Sequence, residues 1–443
     1  MEYIKSRLKK YNSFASYYIR HGTINTSLFM ITLLSFLTWL ADIIIEVVGM
    51  INIDSVIGML SALIFGLSLL IQLILWGMNV YSIKGLTKTE SRTPNQVNTT
   101  TMLSNFIFTQ HKQIISYDPY KNPVSYQHYL WSPDFNVKLR TAQISILYNH
   151  YGELITRKYI KEHYETLRFF LYHRMLNPKL RQSLFYNAKL LCLSGLSYAN
   201  GNIDMRVNKG CYFDYYLTNL CYKSSLKHSQ SIIAKYETTA FCPAEAVSGS
   251  INTSYLANVI GVSTLAQTND GYVFIMIQQD ANEGSHNMLA PSGSGSCDYK
   301  DWVLSNSAPI TNAMQRELYE ECCLSTMFSS YKDIGDTKLI AFFQWVEKAW
   351  KPDFLGITRL KISLQQLQSI SINNLEMKKE IYLPTKLSTV MDLENYIESI
   401  YNIKTSEDHD GISLPLLLIL KSLREMLMKT ESKQQLKEFW NLT

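Results

Sequence analysis

The sequence predicts a two-helix transmembrane hairpin at the N-terminus, followed by a cytosolic α/β sandwich with added helices. Three observations carry this prediction. Residues 28–50 and 55–83 are long apolar runs near the start of the 443-residue chain. Residues 257–279 and 339–363 each read as a pair of alternating strands. Between those pairs, residues 316–324 (RELYEECCL) place Glu317, Glu320 and Glu321 at i, i+3 and i+4, the spacing of one helix face.

Each apolar run exceeds the roughly 20 residues that cross a bilayer, and the link Ile51–Asp54 leaves room only for a tight hairpin. A cleaved signal peptide fits poorly, because the first run is too long and no small-x-small site precedes the second. Lys5, Arg7, Lys9, Lys10 and Arg20 lie before the hairpin, and Lys84, Lys88 and Arg92 follow it, while the turn carries no Lys or Arg. The positive-inside rule then puts both ends in the cytoplasm. The predicted segments are a basic N-terminus at 1–26 and the hairpin at 27–83.

Asp42 and Glu46 lie four apart within the first run. A carboxylate in hydrocarbon costs about 2.5–3.5 kcal/mol on insertion scales. Two readings stand side by side. In one, Glu46 lies near the headgroups and Asp42 is neutral or packed. In the other, several hairpins self-associate and the pair lines a polar path. Ser61, Gly66 and Ser68 in the second run would permit close helix packing.

Composition bounds the rest. A net charge of +5, partly from the residues flanking the hairpin, does not indicate nucleic-acid binding. The seven cysteines show no paired metal spacing and read as reduced, buried thiols. Residues 84–135 form a polar linker and an irregular, proline-broken segment. Residues 136–180 read as a helical connector, with apolar residues at three- and four-residue spacing up to Leu176. Tyr148, His150, Tyr151, Tyr159, His163, Tyr164 and His173 within it either stack on bases or, more simply, pack between helices. The segment 181–443 reads as the main folded domain, with Asn269-Asp270-Gly271 as its hairpin turn. It ends in an apolar core helix near 412–428 and a charged one at 430–441.

Three carboxylates on one helix face repel unless a cation such as Mg²⁺ neutralises them, and a metal held there is a handle for phosphates. The plainer reading is a solvated face with Arg316 as counterion. The string resembles the second half of the Nudix box, Gly-x5-Glu-x7-Arg-Glu-U-x-Glu-Glu-x-Gly-U, through Arg316, Glu317, Leu318, Glu320, Glu321 and Leu324. It departs at Cys323, where the box has glycine, and its spacing puts Trp302 and Ala308 where the early glycine and glutamate belong. LAPSGSGSCDYKDW (289–302) is similar to the family's glycine loop with residues inserted, and 204–225 resembles a stretch that precedes the core in some members.

Together with the hairpin, these features resemble the transmembrane–Nudix effectors of bacterial CBASS anti-phage systems. That resemblance implies an inner-membrane, multi-pass protein whose cytosolic domain binds a cyclic di- or trinucleotide. A partner nucleotidyltransferase of the CD-NTase type makes the nucleotide on infection. The hairpin then oligomerises and disrupts the lipid bilayer. It further implies that Glu317, Glu320 and Glu321 hold Mg²⁺ or floor the pocket, and that Arg316 orients them. The backbone of Ser292, Gly293, Ser294, Gly295 and Ser296 lines the phosphate side, unless it is only a surface turn. Asp298 and Asp301 stand in for the early carboxylate. The rival is a membrane-tethered Nudix hydrolase of a diphosphate-linked nucleotide, with Glu317 as base.

Overall fold

The computed structural model describes residues 63–72, 86–90, 113–117, 127–176, 186–222, 224–228, 231–235, 251, 254–278, 288–305, 307–345, 348–370, 377–403 and 411–443. They fall into two compact units. The first comprises the helical residues 63–72, the C-terminal part of the helix His150–Leu176, and a three-stranded antiparallel sheet of Leu86–Glu90, Ser224–His228 and Ser231–Lys235.

The predicted transmembrane hairpin is not supported. No helix among the described residues is long and apolar enough to cross a membrane. Of the two apolar runs, helix is described only over 63–72. This overturns the fold class built on that hairpin, and with it the assignment to the inner membrane with cytoplasmic termini. Asp42, Glu46 and the rest of the first run lie outside the described residues.

The second unit is a mixed α/β body. In chain order its elements begin with β1 (Gln113–Tyr117), β2 (Gln127–Trp131), α1 (Pro133–Thr141), β3 (Gln143–Tyr148) and the start of α2 (His150–Leu176). Then come β4 (Lys189–Ala199), β5 (Asn202–Cys211), β6 (Gly261–Gln267), β7 (Tyr272–Gln278), β8 (Leu289–Ala290) and β9 (Gly293–Ser296). Next are α3 (Tyr299–Leu304), α4 (Pro309–Glu321), β10 (Gly335–Trp345), β11 (Lys351–Leu360), α5 (Leu364–Ser369) and β12 (Met377–Lys386). The chain closes with α6 (Val390–Tyr401), α7 (Leu414–Leu427) and α8 (Thr430–Trp440).

The nine-stranded sheet runs β8-β7-β6-β11-β10-β2-β1, with β9 also on β6 and β12 also on β7. β6 pairs parallel with β11, from Gly261↔Asp353 to Arg359↔Gln267. The opposite edge of β6 is divided: Ala266 and Gln267 pair with β7, whereas Gly261–Thr264 pair with β9. Alternation of side chains along the strands splits the core in two. Leu265, Val273, Ile275, Phe343, Leu355 and Ile357 face the helices α6–α8. Val262, Phe342 and Phe354 meet Ile310, Ala313 and Met314 of α4, and Ala266, Phe274, Met276 and Leu360 meet its Leu318. Gly356 lets α4 approach, since a Cβ there would strike the Met314 sulfur at 2.5 Å. The apolar stretch near the C-terminus is indeed a core helix, with Leu416, Leu418, Ile419, Leu420 and Leu423 sealed from solvent.

The region read as one helical run from 136 is interrupted. Ser132 caps α1 by accepting from the Phe135 N–H at 3.2 Å, with Pro133 in the first turn. The helix ends at Thr141, and Gln143–Tyr148 becomes a strand parallel to β5. Its Gln-Ile-Ser-Ile pattern has a period of two as well as spacings compatible with a helix, and the neighbouring strand decided between them. In the stretch read as irregular, β2 delivers Tyr129 and Trp131 to the core.

Candidate functional site

The site is assembled where α4 lies against β9 and α3. Two glycines on β9 permit the approach. A Cβ on Gly293 would lie 2.7 Å from the Leu318 backbone, and one on Gly295 would collide with the Glu317 carboxylate. Glycine is therefore required here for clearance and not for loop flexibility. The predicted glycine loop is a strand, laddered to β6 from Gly293↔Thr264 to Ser296↔Gly261.

Arg316 is the centre. Its Nε donates to both oxygens of Asp301 at 3.0 and 3.3 Å. Nη1 donates to Glu317 at 2.9 Å and Glu320 at 3.2 Å. Nη2 donates to the Ser296 carbonyl at 2.9 Å and to Asp301 at 3.0 Å. All five N–H groups of the guanidinium are thereby committed. Burial opposes this charge, but Glu317 and Asp301 outweigh burial and hold the guanidinium above its ordinary range. Asp301 has no exposed surface, and it also accepts from the Asp298 N–H at 2.8 Å, which locks the first turn of α3. Asp298 faces outward to Lys300 at 3.1 Å.

The three glutamates differ in setting. Glu317 is buried over Gly295, and Glu321, also buried, accepts from the Ser294 N–H at 2.8 Å. Glu320 is half-exposed. Ser292 is wholly buried: its hydroxyl donates to the Phe274 carbonyl at 2.6 Å and accepts from the Ala266 N–H at 2.8 Å. Of the residues expected to bind phosphate, Ser292 ties strands together, Ser294 anchors Glu321, and Arg316 is spent on carboxylates. Asp301, expected as a substitute metal ligand, is the anchor of Arg316.

The expected Mg²⁺ does not fit this arrangement as it stands. A guanidinium already occupies the position between Glu317 and Glu320. Among the described residues no group of three or more His, Cys, Asp or Glu has the disposition to hold a metal ion. At the end of α4, Cys323 takes φ 53° and ψ 36°, the left-handed conformation that glycine adopts most readily. The helix therefore ends in a left-handed residue that is a cysteine. Cys322 is buried beneath, its thiol 3.6 Å from the Ser292 carbonyl and pushed up by burial.

A second charged feature has no counterpart in the sequence reading. Lys351 and Asp353 on β11 form a buried ion pair at 2.7 and 2.8 Å, accommodated by Gly261 on the neighbouring strand. Two residues apart on a strand, they face the same side, and that spacing was the one available signal.

No family model matches the chain, and no curated protein matches it. Among solved structures, the chain is similar to the crystal structure of DR0079 from Deinococcus radiodurans, at 14% identity over 37% of this chain and 81% of that one. The TM-score is 0.24, at which the likeness carries no argument.

Proposed function

We propose that the second unit is a ligand sensor in an anti-phage system of the CBASS kind. It binds a cyclic di- or trinucleotide made by a partner nucleotidyltransferase on infection, keeps the ligand intact, and responds by self-association. The resemblance of Arg316–Leu324 to a Nudix box supports a nucleotide ligand. The observation that carries binding without turnover is the Arg316 clamp. A hydrolase needs a carboxylate at liberty to take a proton or hold a metal. Here Glu317 is buried and bonded to Arg316, and Glu321 is bonded to Ser294.

The test is calorimetry of the full chain with cyclic di-AMP, cyclic di-GMP, a cyclic trinucleotide and a linear nucleoside diphosphate derivative, each with and without Mg²⁺. Chromatography of the same samples reads turnover. Binding of a cyclic nucleotide that is recovered intact is the expected result. Cleavage of the linear diphosphate with no cyclic ligand bound would sink the sensor reading in favour of a hydrolase.

A further inference from the structure

A strand at the edge of a sheet is a template for another strand unless the fold blunts it. In the three-stranded sheet β3-β5-β4, β3 is such an edge, paired on one side only and parallel to β5 from Gln143↔Asn202 to Tyr148↔Val207. The Asn149 N–H donates to the Val207 carbonyl at 2.7 Å, which fixes the parity of the strand. Alternate residues of a parallel strand turn their peptide groups to the neighbour, so Gln143, Ser145 and Leu147 turn theirs to β5. Ile144, Ile146 and Tyr148 turn theirs outward, where no strand meets them among the described residues.

β12 shows what a blunted edge looks like. Among the described residues it pairs only with β7, it contains Pro384 and Lys386, and its pairing is shifted in register twice. Proline removes a donor, lysine brings charge, and bulges twist an edge away from a newcomer. β3 has none of these devices. Its sequence Gln-Ile-Ser-Ile-Leu-Tyr holds no proline and no charge, and its pairing with β5 is regular. Apolar surface adjoins it: Leu147, and Tyr151 and Leu154 in the first turns of α2, are each more than half exposed. Tyr148 stacks on Trp302 of α3 at 6.3 Å, and the next two residues there, Val303 and Leu304, are also more than half exposed.

We propose that β3 is the interface of a symmetric dimer, in which a second copy of this chain adds antiparallel to the open edge. The proposal goes beyond the sensor reading and needs no nucleotide. The edge is complementary to itself. With Ile146 opposite Ile146 and Ile144 opposite Tyr148, every outward N–H and C=O of these three residues meets a partner, as in the hydrogen-bonded pairs of an antiparallel ladder. The same register matches the side chains, because residues directly opposite share a face of the sheet. Ile144 and Ile146, which pack partly against the core, continue into the same row of the second copy, and Ser145 meets Leu147. With no charge on the strand, no like charges are set opposite one another.

The test is sedimentation of the full-length chain without nucleotide, diluted from about 100 to 1 μM, with hydrogen exchange on the same samples. The expected result is a dimer at the higher concentrations, with the amides of 143–148 losing protection on dilution. Ser145→Glu with Leu147→Glu sets like charges opposite at both symmetry-related pairs, and should weaken dimerisation at least about ten-fold. Ser145→Glu with Leu147→Lys sets opposite charges there instead, and should restore the dimer, which a misfolded variant could not do. A wild type that stays monomeric throughout would overturn the proposal. So would a dimer whose 143–148 amides ignore dilution, or one that S145E/L147E leaves unchanged. Each of these results leaves the sensor reading to its own calorimetry.

Discussion

The Arg316 cluster and the Lys351–Asp353 pair are both buried charge assemblies on the same sheet-centred body, yet they are built to opposite plans. The pair is one cation and one anion, each under a tenth exposed, with both carboxylate oxygens on the Lys351 amine. It is sealed from solvent. The cluster grades from Asp301, wholly buried, to Glu320, half in solvent, and several carboxylates share one guanidinium. A balanced, sealed pair can be replaced by apolar groups, because nothing charged is left behind. A guanidinium shared among several carboxylates cannot be emptied of charge by one such exchange. Depth of burial alone therefore does not say how a charged assembly responds to replacement.

The largest expected effect is at Asp301. Asp301→Ala strands Arg316 without its Nε partner and should cost about 3–5 kcal/mol in urea unfolding. Paired replacements then test the contrast. The double variant Lys351→Met, Asp353→Leu should be neutral or stabilised by about 1–4 kcal/mol. The double variant Arg316→Met, Asp301→Leu should stay destabilised, because Glu317 and Glu321 remain buried. Equal outcomes for the two doubles would break the comparison.

A second, smaller effect distinguishes the assemblies by pH. Burial raises the Asp353 carboxyl above its ordinary value of 3.8, with Lys351 opposing. The folded chain therefore holds this proton at a pH where the unfolded chain has released it. That contribution to stability is complete below the unfolded value and is lost as pH rises through the folded one. Urea midpoints from about pH 3.5 to 7 should show the wild-type advantage over Asp353→Asn shrinking as pH rises. A widening advantage would mean that Lys351 holds the group ionised throughout.

The smallest effect is at the end of the acidic helix. Cys323→Gly relieves a left-handed residue and should stabilise the fold by about 1 kcal/mol in thermal melts. A loss of stability would show instead that the Cys323 side chain packs usefully against its neighbours.

What the sequence determined by itself was local. Alternation over 257–279 and 339–363 specifies strands, because one face of each must be buried while neighbours point the other way. Asn269-Asp270-Gly271 specifies a turn through Gly271, whose φ is 91°. The apolar run at the start of α7, broken later by Lys421 and Arg424, demands a core position, and the spacing of Glu317, Glu320 and Glu321 demands one side of a helix. Apolar content misled where length was taken as sufficient for a membrane span. Tertiary structure alone decided the rest. It made Gln143–Tyr148 a strand by setting β5 beside it. It chose Asp301, fifteen residues away, as the partner of Arg316. It set Gly293 and Gly295 in a strand against which α4 packs closely, and it closed Lys351 onto Asp353 beneath Gly261. The reason is physical: dihedral preference and side-chain period act within a few residues, whereas the pairing of buried charges depends on which surfaces the folded chain brings together and dries.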